Sequence, residues 1–393
     1  MCRRLLLLLS FAVPVRAQQS AADSTVTDTV APGLVHTYYV RQQGPWRLHV
    51  VTVDLRDGRY AVHSVRALDS LRGREKTTAM AGRARATGRD VRVAINADFF
   101  DLKTGETVNN QVSDGHIWKA LAMSGKPGGT MRSARGQFGI TRDGKPIIDR
   151  VVFGGILSAG RRFWALDGVN AIPSNGEGLV LWLAEANGRA RADSTRRGRA
   201  LAVRILGGSW RDSLLLAVSG RPGEVDSTPV APGRGVLVAY GATVTRLDSL
   251  AALSRPFSAR ADWLPSAGPL AELVGGWPVI LRDGASSVAA SATRELTAPG
   301  NANARHPRSL IGFDADTSRL FLVAVDGRST ASVGMTLAEA ADFLRGIGVA
   351  QALNLDGGGS TTLVIDGRIV NTPSDPAGER TVGNALLVEG RRP

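Results

Sequence analysis

One aspartate near the C-terminus is followed by three glycines and three hydroxyl residues. The segment reads Asn354-Leu355-Asp356-Gly357-Gly358-Gly359-Ser360-Thr361-Thr362. Glycine loses more conformational freedom on folding than any other residue, so three in a row are tolerated mainly where the backbone turns through positive φ or approaches a ligand. Asp356 is therefore the leading candidate for a reacting carboxylate. The alternative is a glycine-rich hairpin loop in which Asp356 only forms the turn.

The segments around this site are predicted to be mostly strands. Apolar runs typical of buried strands precede and follow the glycines, at Ala350 to Leu355 and Thr361 to Ile365. Thr336, with Glu339 three residues later, forms a capping-box pattern that starts a helix with an apolar face. Between about Gly155 and Pro269, short apolar runs alternate with Gly, Pro and Asp clusters. We expect an α+β fold with a large, strand-rich mixed sheet and few helices.

The first half contributes a few more predicted elements. Two alternating segments separated by Asp57-Gly58 are interpreted as an opening hairpin, the runs being Trp46 to Leu55 and Tyr60 to Val65. Thr77 to Thr87 is the first predicted helix, and Val91 to Ile95 is predicted as a buried strand that runs into Asn96. Residues 18–33 hold little to bury and are expected to be a flexible lead-in, so that one large domain spans 34–390.

The N-terminal segment predicts export. A basic stretch, Cys2-Arg3-Arg4, precedes an apolar run from Leu5 to Val15 that is too short to span a bilayer as a helix. Val15-Arg16-Ala17 approximates a small-residue cleavage site, so residues 1–17 are interpreted as a signal peptide. The sequence has one cysteine, Cys2, which leaves no thiol for disulfide, metal or nucleophile in the mature chain. We expect a periplasmic or extracellular protein with no transmembrane segment.

Composition suits a globular protein and argues against nucleic-acid binding. The chain of 393 residues is 43% hydrophobic and 21% charged, which is enough to build a sizeable core. Its formal charge of +13 is consistent with an anionic partner such as an acidic glycan, a phosphate-bearing polymer or a membrane surface. The arginines are scattered as single residues and pairs, without the stripe and interleaved aromatics of a nucleic-acid interface.

Longer motifs give the chain a family resemblance. In order they read HPRSLIGFD, LVAVDGRST, SVGMTLAEAADFL, NLDGGGSTTLVIDG and NTPSD, between His306 and Val388. This series resembles the phosphodiester glycosidase family, whose vertebrate member removes N-acetylglucosamine from a phosphodiester. Residues 91–154 and 270–390 match best, and 155–269 form a variable middle. The resemblance implies an exported hydrolase acting on a sugar-1-phosphodiester in a phosphorylated glycan or envelope glycopolymer.

Such a reaction calls for carboxylates near the anomeric carbon and cations near the departing phosphate. The resemblance makes Asp356 and Asp326 the candidate catalytic pair, because both follow a strand and precede glycine. A carboxyl separation of about 5 Å would indicate retention and about 6.5–9.5 Å inversion. An Asp-Gly after a strand is also a common turn, which leaves a purely structural Asp326 as the alternative.

The same register supplies candidate binding residues. Arg308 is the leading phosphate ligand and Arg380 the second, because guanidinium presents a planar donor fork to two phosphate oxygens. Arg328 is less secure, because the vertebrate enzyme departs from this chain after Asp326-Gly327. Amide hydrogen bonds to the sugar are expected from Asn96 and Asn110. Contacts to the phosphate are expected from hydroxyl and backbone N–H groups of Gly357, Gly358, Gly359, Ser360 and Thr361.

Metal and serine-hydrolase chemistry find less support. Scattered aspartates, Asp98 and Asp114 among them, lack the spacing of a calcium loop, and the five histidines form no zinc pattern. We therefore expect no required cofactor and leave a structural calcium unassigned. Asp98, where the vertebrate enzyme has glycine, could add a carboxylate to the site or bind a cation, and is expected first of all to cap a turn. No nucleophile elbow is present. A non-catalytic glycan-binding protein and a metal-dependent phosphodiesterase remain as alternative functions, and the sequence predicts no oligomeric state.

Overall fold

The computed structural model describes residues 22–121, 135–173, 176–185, 190, 198–225, 230–265 and 268–391. The predicted signal peptide, residues 1–17, lies outside the described residues. None of the described helices combines the length and hydrophobicity that crossing a bilayer requires.

Strands make up most of the regular structure. Over the described ranges they are β1 (Ser24–Ala31), β2 (Leu34–Arg41), β3 (Trp46–Asp54), β4 (Tyr60–Arg66), β5 (Glu75–Lys76), β6 (Asp90–Asn96), β7 (Gln111–Ser113), β8 (His116–Leu121), β9 (Gln137–Thr141), β10 (Pro146–Asp149), β11 (Val152–Ala159), β12 (Arg162–Leu166), β13 (Gly168–Val169), β14 (Gly178–Trp182), β15 (Arg199–Ser209), β16 (Ser213–Val218), β17 (Gly223–Glu224), β18 (Arg234–Tyr240), β19 (Phe257–Leu264), β20 (Leu270–Gly275), β21 (Val279–Arg282), β22 (Ala285–Ser286), β23 (Arg308–Phe313), β24 (Arg319–Val325), β25 (Gln351–Asn354), β26 (Leu363–Ile365), β27 (Arg368–Ile369), β28 (Thr381–Val382) and β29 (Asn384–Gly390).

Helices are fewer and short. They are α1 (Thr77–Ala86), α2 (Val244–Ala251), α3 (Val288–Arg294), α4 (Pro299–Ala302) and α5 (Leu337–Gly346). The predicted capping box of α5 is present: the Glu339 backbone N–H donates to Thr336 Oγ1 at 3.2 Å, and the Thr336 N–H donates to Glu339 Oε2 at 2.9 Å. The expectation of a strand-rich fold with few helices is confirmed.

Three large sheets organise the described part of the chain. An eight-stranded sheet has the order β1-β2-β3-β24-β23-β25-β21-β22, and a five-stranded sheet has the order β27-β26-β6-β29-β4. The fourteen strands from β7 to β20 form a third sheet. Most neighbouring strands run antiparallel, whereas β13 and β14 pair in parallel, so the large sheet is mixed.

The first two sheets pack face to face and share one hydrophobic core. Leu322 and Leu353 from the eight-stranded sheet lie in the same fully buried cluster as Ile95 and Leu386 from the five-stranded sheet. Alternate residues of each strand point into this layer, as sheet packing requires. The helix α5 covers the opposite face of the eight-stranded sheet.

The triple-glycine segment connects these two packed sheets. The strand before it, β25, pairs with β23 and β21, whereas the strand after it, β26, pairs with β6 and β27. The glycines therefore do not close a hairpin. They carry the chain from one sheet to the other, with a short 3₁₀ turn at Gly358–Ser360.

Three sequence expectations about local structure need correction. Within the predicted flexible lead-in, 18–33, the segment Ser24–Ala31 forms β1, because its alternating Thr and Val residues pair along β2 as an exposed edge strand. The predicted opening hairpin is two strands in different sheets, since β3 pairs with β2 and β24 while β4 pairs with β29. The sequence also predicts one strand from Leu273 to Leu281, interrupted by glycines, whereas the structure has two strands there, β20 and β21, in different sheets.

Leu322→Ala tests the shared core. Leu322 is fully buried, so truncation should lower the free energy of unfolding by about 2–5 kcal/mol in urea denaturation. Leu206→Ala removes the same atoms from a residue that is 45% exposed and should change stability by less than about 0.5 kcal/mol. Equal effects of the two substitutions would contradict the packing described.

Candidate active site

Asp356 lies where the two packed sheets meet. Its backbone N–H donates to the carbonyl of Ala97, directly after β6, at 2.8 Å. Its own carbonyl accepts a hydrogen bond of 2.6 Å from Asn96 Nδ2. The residue is partly exposed. These two bonds fix the backbone of Asp356 against the end of a strand in the neighbouring sheet.

Asn96 acts as the joint between these elements. Its side-chain oxygen accepts from Ser309 Oγ at 2.6 Å and from the Thr362 N–H at 3.0 Å, while its side-chain nitrogen holds Asp356. The residue is fully buried. Its amide is engaged by protein groups on both sides, so the structure gives Asn96 a positioning task, and the predicted sugar contact stays a prediction.

A second buried carboxylate, Asp98, lies beside Asp356. Asp98 is 1% exposed and accepts from the backbone N–H of Asn109 at 2.9 Å and from its side-chain Nδ2 at 2.7 Å. A Cβ on Gly275 would collide with both Asp98 and Asn109, so only glycine fits there. The sequence predicted a turn cap at Asp98, whereas the structure encloses its carboxylate within the site.

Asp356 and Asp98 both have raised pKa values, because burial disfavours their charged forms. Burial raises the pKa of Asp356 to about 7, and the charge of Asp98 adds to the rise while Ser360 and Arg380 oppose it. Burial raises the pKa of Asp98 to about 6, against the hydrogen bonds from Asn109 and the charges of Lys119 and Arg135. The pair therefore exchanges protons close to neutral pH, which is the range for acid–base work.

Two guanidinium groups lie directly on the glycine turn. A Cβ on Gly359 would collide with Arg380 Nη2, and a Cβ on Gly358 would lie 2.9 Å from Arg328 Nη2. Gly358 also has a φ of +62°, which disfavours any side chain. The glycines are thus required both for the turn and for the close approach of the two arginines.

An acidic loop residue pairs with these cations. Arg380 donates from Nε to Asp375 Oδ2 at 2.8 Å, and its Nη2 lies 2.8 Å from the same oxygen. Arg328 donates from Nη1 to Ser374 Oγ at 3.4 Å. The hydrogen bond from Arg380 holds the pKa of Asp375 below its usual value, so the carboxylate is charged at neutral pH.

Hydroxyl groups line the inner side of the turn. Ser360, Thr361 and Thr362 are at most 1% exposed. The Ser360 hydroxyl stabilises the ionised form of Asp356. Within the described residues, the side-chain oxygens of Ser360, Thr361 and Thr362 are all buried without a partner at hydrogen-bonding geometry, and buried hydroxyls normally have one.

Two aromatic side chains, Phe99 next to Asp98 in the chain and Trp277 just after β20, pack against each other. Phe99 packs edge-on against Trp277 with ring centroids 5.8 Å apart, and the Arg135 guanidinium lies 4.6 Å from the Trp277 ring centroid. The indole N–H donates to the carbonyl of Glu295 at 2.9 Å, which fixes the ring. Both aromatic rings are partly exposed. The site thus combines carboxylates, cations and apolar surface, as small-molecule sites commonly do.

Comparison with known proteins shows similarity to one family. Residues 232–389 match the sequence model of the phosphodiester glycosidases. The matched range is the C-terminal part of the chain and makes up less than half of its length. It contains Asp356, Arg328, Arg380 and the glycine turn, whereas Asp98 and Asn109 lie outside the matched range. The resemblance noted in the sequence is confirmed.

Two curated proteins are similar to parts of this chain. A prophage-derived protein of Bacillus subtilis, YomE, is 35% identical over 96 residues, which are 24% of this chain and 15% of YomE. The mouse N-acetylglucosamine-1-phosphodiester alpha-N-acetylglucosaminidase, a hydrolase by name, is 33% identical over 119 residues, 28% of this chain and 23% of the mouse protein. The alignments thus span less than a quarter of either relative.

The fold is shared more widely than these alignments. The crystal structure of a Synechocystis protein superposes with a TM-score of 0.74 at 19% identity, covering 94% of this chain and 64% of that protein. The whole architecture, including the part before residue 232, is therefore found in another protein.

The Arg308 backbone lies beside the glycine turn, whereas its guanidinium is directed to the 301–304 loop. Its guanidinium is 1% exposed and donates to the carbonyls of Met335, Asn301 and Ala304 and to Asn301 Oδ1, at 2.6–3.0 Å. Burial lowers its pKa to about 10. Four hydrogen bonds to protein acceptors make it a support for the 301–304 loop. Arg328, which the sequence ranked lower, occupies the position on the glycines instead.

Asp326 is separated from Asp356 by one strand. Asp326 follows β24 and Asp356 follows β25, with β23 between them, so two strand spacings of about 4.8 Å separate their backbones. Asp326 Oδ1 accepts from the Thr372 N–H at 2.8 Å. Burial raises its pKa, and the Thr372 hydrogen bond opposes this. The contacts give Asp326 the task of holding the loop that leads to Asp375, and its catalytic role stays a prediction.

Asn110 is also tied to the protein. Its Oδ1 accepts from the Leu121 N–H at 2.8 Å, and its Nδ2 donates to the Val151 carbonyl at 3.4 Å. The neighbouring Asn109 is the residue that reaches the site. Sequence reasoning missed it because both asparagines belong to one loop, and only the register of β7 decides which one faces Asp98.

A histidine–carboxylate cluster lies elsewhere in the described structure. His63, Asp114 and Glu272 have potential ligand atoms within 4.8 Å of one another. Burial alone lowers the pKa of His63, but hydrogen bonds to Asp114 and Glu272 outweigh it and raise the pKa to about 9. At neutral pH His63 is then protonated and has no free lone pair on either ring nitrogen to bind a cation, so we assign no metal here.

Arg308→Met tests the supporting role of Arg308. The substitution leaves four buried acceptors without their donor, so the free energy of unfolding should fall by about 2 kcal/mol or more. Arg380→Met is the matched control: its side chain is 35% exposed, and stability in the same urea titration should change far less. A fully stable Arg308→Met protein would contradict the role.

Proposed function

We propose that this protein hydrolyses a sugar-1-phosphodiester. The observation that carries the proposal is the position of the Asp356 carboxylate at a glycine turn that bears two guanidinium groups, Arg328 and Arg380. A phosphodiester of an anomeric carbon offers a complementary pair: a carbon that gains positive charge and a phosphate that leaves with negative charge. The family assignment and the name of the mouse relative support the same reaction.

In the proposed reaction the bond between the anomeric carbon and its oxygen breaks. The electron pair leaves with the phosphate, which the guanidinium groups and the N–H groups of the turn stabilise. Asp356 faces the sugar and acts as nucleophile or base, and water supplies the new C1–O bond and the proton that balances the products. Because phosphate is a good leaving group, a strong general acid is less necessary than in ordinary glycosidases.

Asp98 is the better-placed second carboxylate. It interacts electrostatically with Asp356, whereas Asp326 lies across an intervening strand and binds the loop at Thr372. One member of the pair can hold a proton while the other is charged, since like charges at short range resist simultaneous ionisation. Phe99 and Trp277 offer apolar surface to the sugar on this side.

The substrate is proposed to belong to an envelope or extracellular glycopolymer. The signal-peptide pattern of residues 1–17 supports export, and the net positive charge suits an anionic polymer. N-acetylglucosamine is the sugar named in the mouse relative and is the first to test.

Hydrolysis in oxygen-18 water tests the bond that breaks. The purified protein and an N-acetylglucosamine-1-phosphodiester should give labelled sugar and unlabelled phosphate, measured by mass spectrometry. Label in the phosphate would instead establish a phosphodiesterase that cleaves P–O. Absence of hydrolysis with retained binding of the diester would establish the non-catalytic alternative.

Asp356→Asn should reduce kcat by at least about a thousandfold, because the amide can act neither as nucleophile nor as base. Asp326→Asn is the isosteric control from the neighbouring strand and should retain more activity than Asp356→Asn and Asp98→Asn. If Asp326→Asn were the most impaired of the three, the assignment of the carboxylate pair would be wrong.

The pH profile tests the coupling of the pair. The reaction needs ionised Asp356, so kcat/KM should rise as pH rises through about 7. Asp98→Asn removes a neighbouring negative charge and should move this limb to lower pH, even if the maximal rate falls. The limb of Asp326→Asn should stay in place. An unmoved limb in Asp98→Asn would refute the coupling.

Stability should follow the same carboxylates. Since burial raises both pKa values above those of the unfolded chain, the folded state binds more protons between about pH 4 and 7. The contribution of the pair to stability is therefore largest at low pH and declines as pH rises through that window. The decline should be smaller in Asp98→Asn, measured by urea denaturation at pH 5 and 8.

A further inference from the structure

We propose that Asp375 makes the anion site selective for a singly charged phosphodiester over a doubly charged phosphomonoester. The inference rests on the proposed function for the location of the phosphate. It assigns to a loop residue a part in the discrimination between substrate and product.

Three charged side chains at the glycine turn carry a net positive charge. Arg328 and Arg380 bring two positive charges to the glycine turn, and Asp375 brings one negative charge. The Arg380 ion pair involves both Nε and Nη2 at 2.8 Å from one carboxylate oxygen. The net charge presented by these three side chains is therefore +1, which matches a phosphodiester monoanion.

Hydrogen bonds hold Asp375 in place. Its Oδ1 accepts from the Ala377 N–H at 3.3 Å, and its backbone carbonyl accepts from the Gly378 N–H at 2.8 Å. The loop begins at Thr372, whose N–H is bound by the buried carboxylate of Asp326. The negative charge is thus a fixed part of the site, because turn hydrogen bonds and an ion pair position it together.

Phosphodiesters and phosphomonoesters differ in charge. A phosphodiester carries one negative charge over the whole working range of pH, whereas a phosphomonoester loses its second proton near pH 6 and becomes a dianion. Cleavage of the C1–O bond converts a diester into a sugar and a monoester. The carboxylate of Asp375 repels the dianion more strongly than the monoanion, so it favours the diester substrate over the monoester product and favours release of that product.

Binding to simple probes tests the proposal without catalysis. Diethyl phosphate represents the monoanion and ethyl phosphate the dianion, and isothermal titration calorimetry at pH 8 gives both affinities. Because repulsion scales with ligand charge, Asp375→Asn should strengthen ethyl phosphate binding by about tenfold and diethyl phosphate binding by about threefold. At pH 5, where both probes are monoanions, the two gains should become equal.

Two further variants separate charge from structure. Asp375→Glu keeps the charge and should keep the preference for the diester probe. Asp375→Ser removes the charge with a different side chain and should repeat the effect of Asp375→Asn, which guards against a folding defect specific to one variant. Equal strengthening of both probes at pH 8, or no strengthening in either neutral variant, would overturn the proposal.

An inhibition assay with the phosphodiester substrate tests the role of Asp375 separately from the proposed function. With the phosphodiester substrate, Asp375→Asn should show about tenfold stronger inhibition by its phosphomonoester product at pH 8. A wild-type protein that binds both probes but hydrolyses no diester would refute the proposed function, while the ratio of the two probe affinities would still decide the role of Asp375.

Discussion

The hydrogen bond between the Asp356 backbone and Ala97 is the constraint on which the site depends. It joins the end of β25 in one sheet to the end of β6 in the other, and Asn96 reinforces the junction from its buried amide. Because the two sheets share a hydrophobic core, this junction cannot shift without disturbing the packing. The carboxylates of Asp98 and Asp356 are therefore brought together by the sandwich itself.

The site balances opposite charges in different solvent environments. Asp98 and Asp356 lie toward the protein interior, where desolvation raises their pKa values, whereas Arg328, Arg380 and Asp375 lie at the exposed side of the glycine turn. The glycines allow this division, because only backbone without Cβ atoms fits between the guanidinium groups and the inner hydroxyls. One short segment thus separates a proton-exchanging region from an anion-binding region.

Sequence reasoning succeeded where local patterns decide and failed where register across sheets decides. It predicted the capping box of α5 and the strands around the glycines. It ranked Arg308 above Arg328 by motif, yet Arg308 points at the 301–304 loop and Arg328 at Gly358. Side-chain direction at a strand end depends on pleat and pairing, and these are tertiary facts.

The amino-acid sequence by itself determined the composition of the strands, the glycine turn and the family, because periodicity, turn chemistry and motif spacing are local properties. Only the tertiary structure decided that β25 and β26 belong to different sheets, that Asn109 binds Asp98, whose charge raises the pKa of Asp356, and that Asp326 is one strand away. The reason is physical: these residues lie up to about 260 positions apart in the chain, and their contact follows from the packing of two sheets around one core.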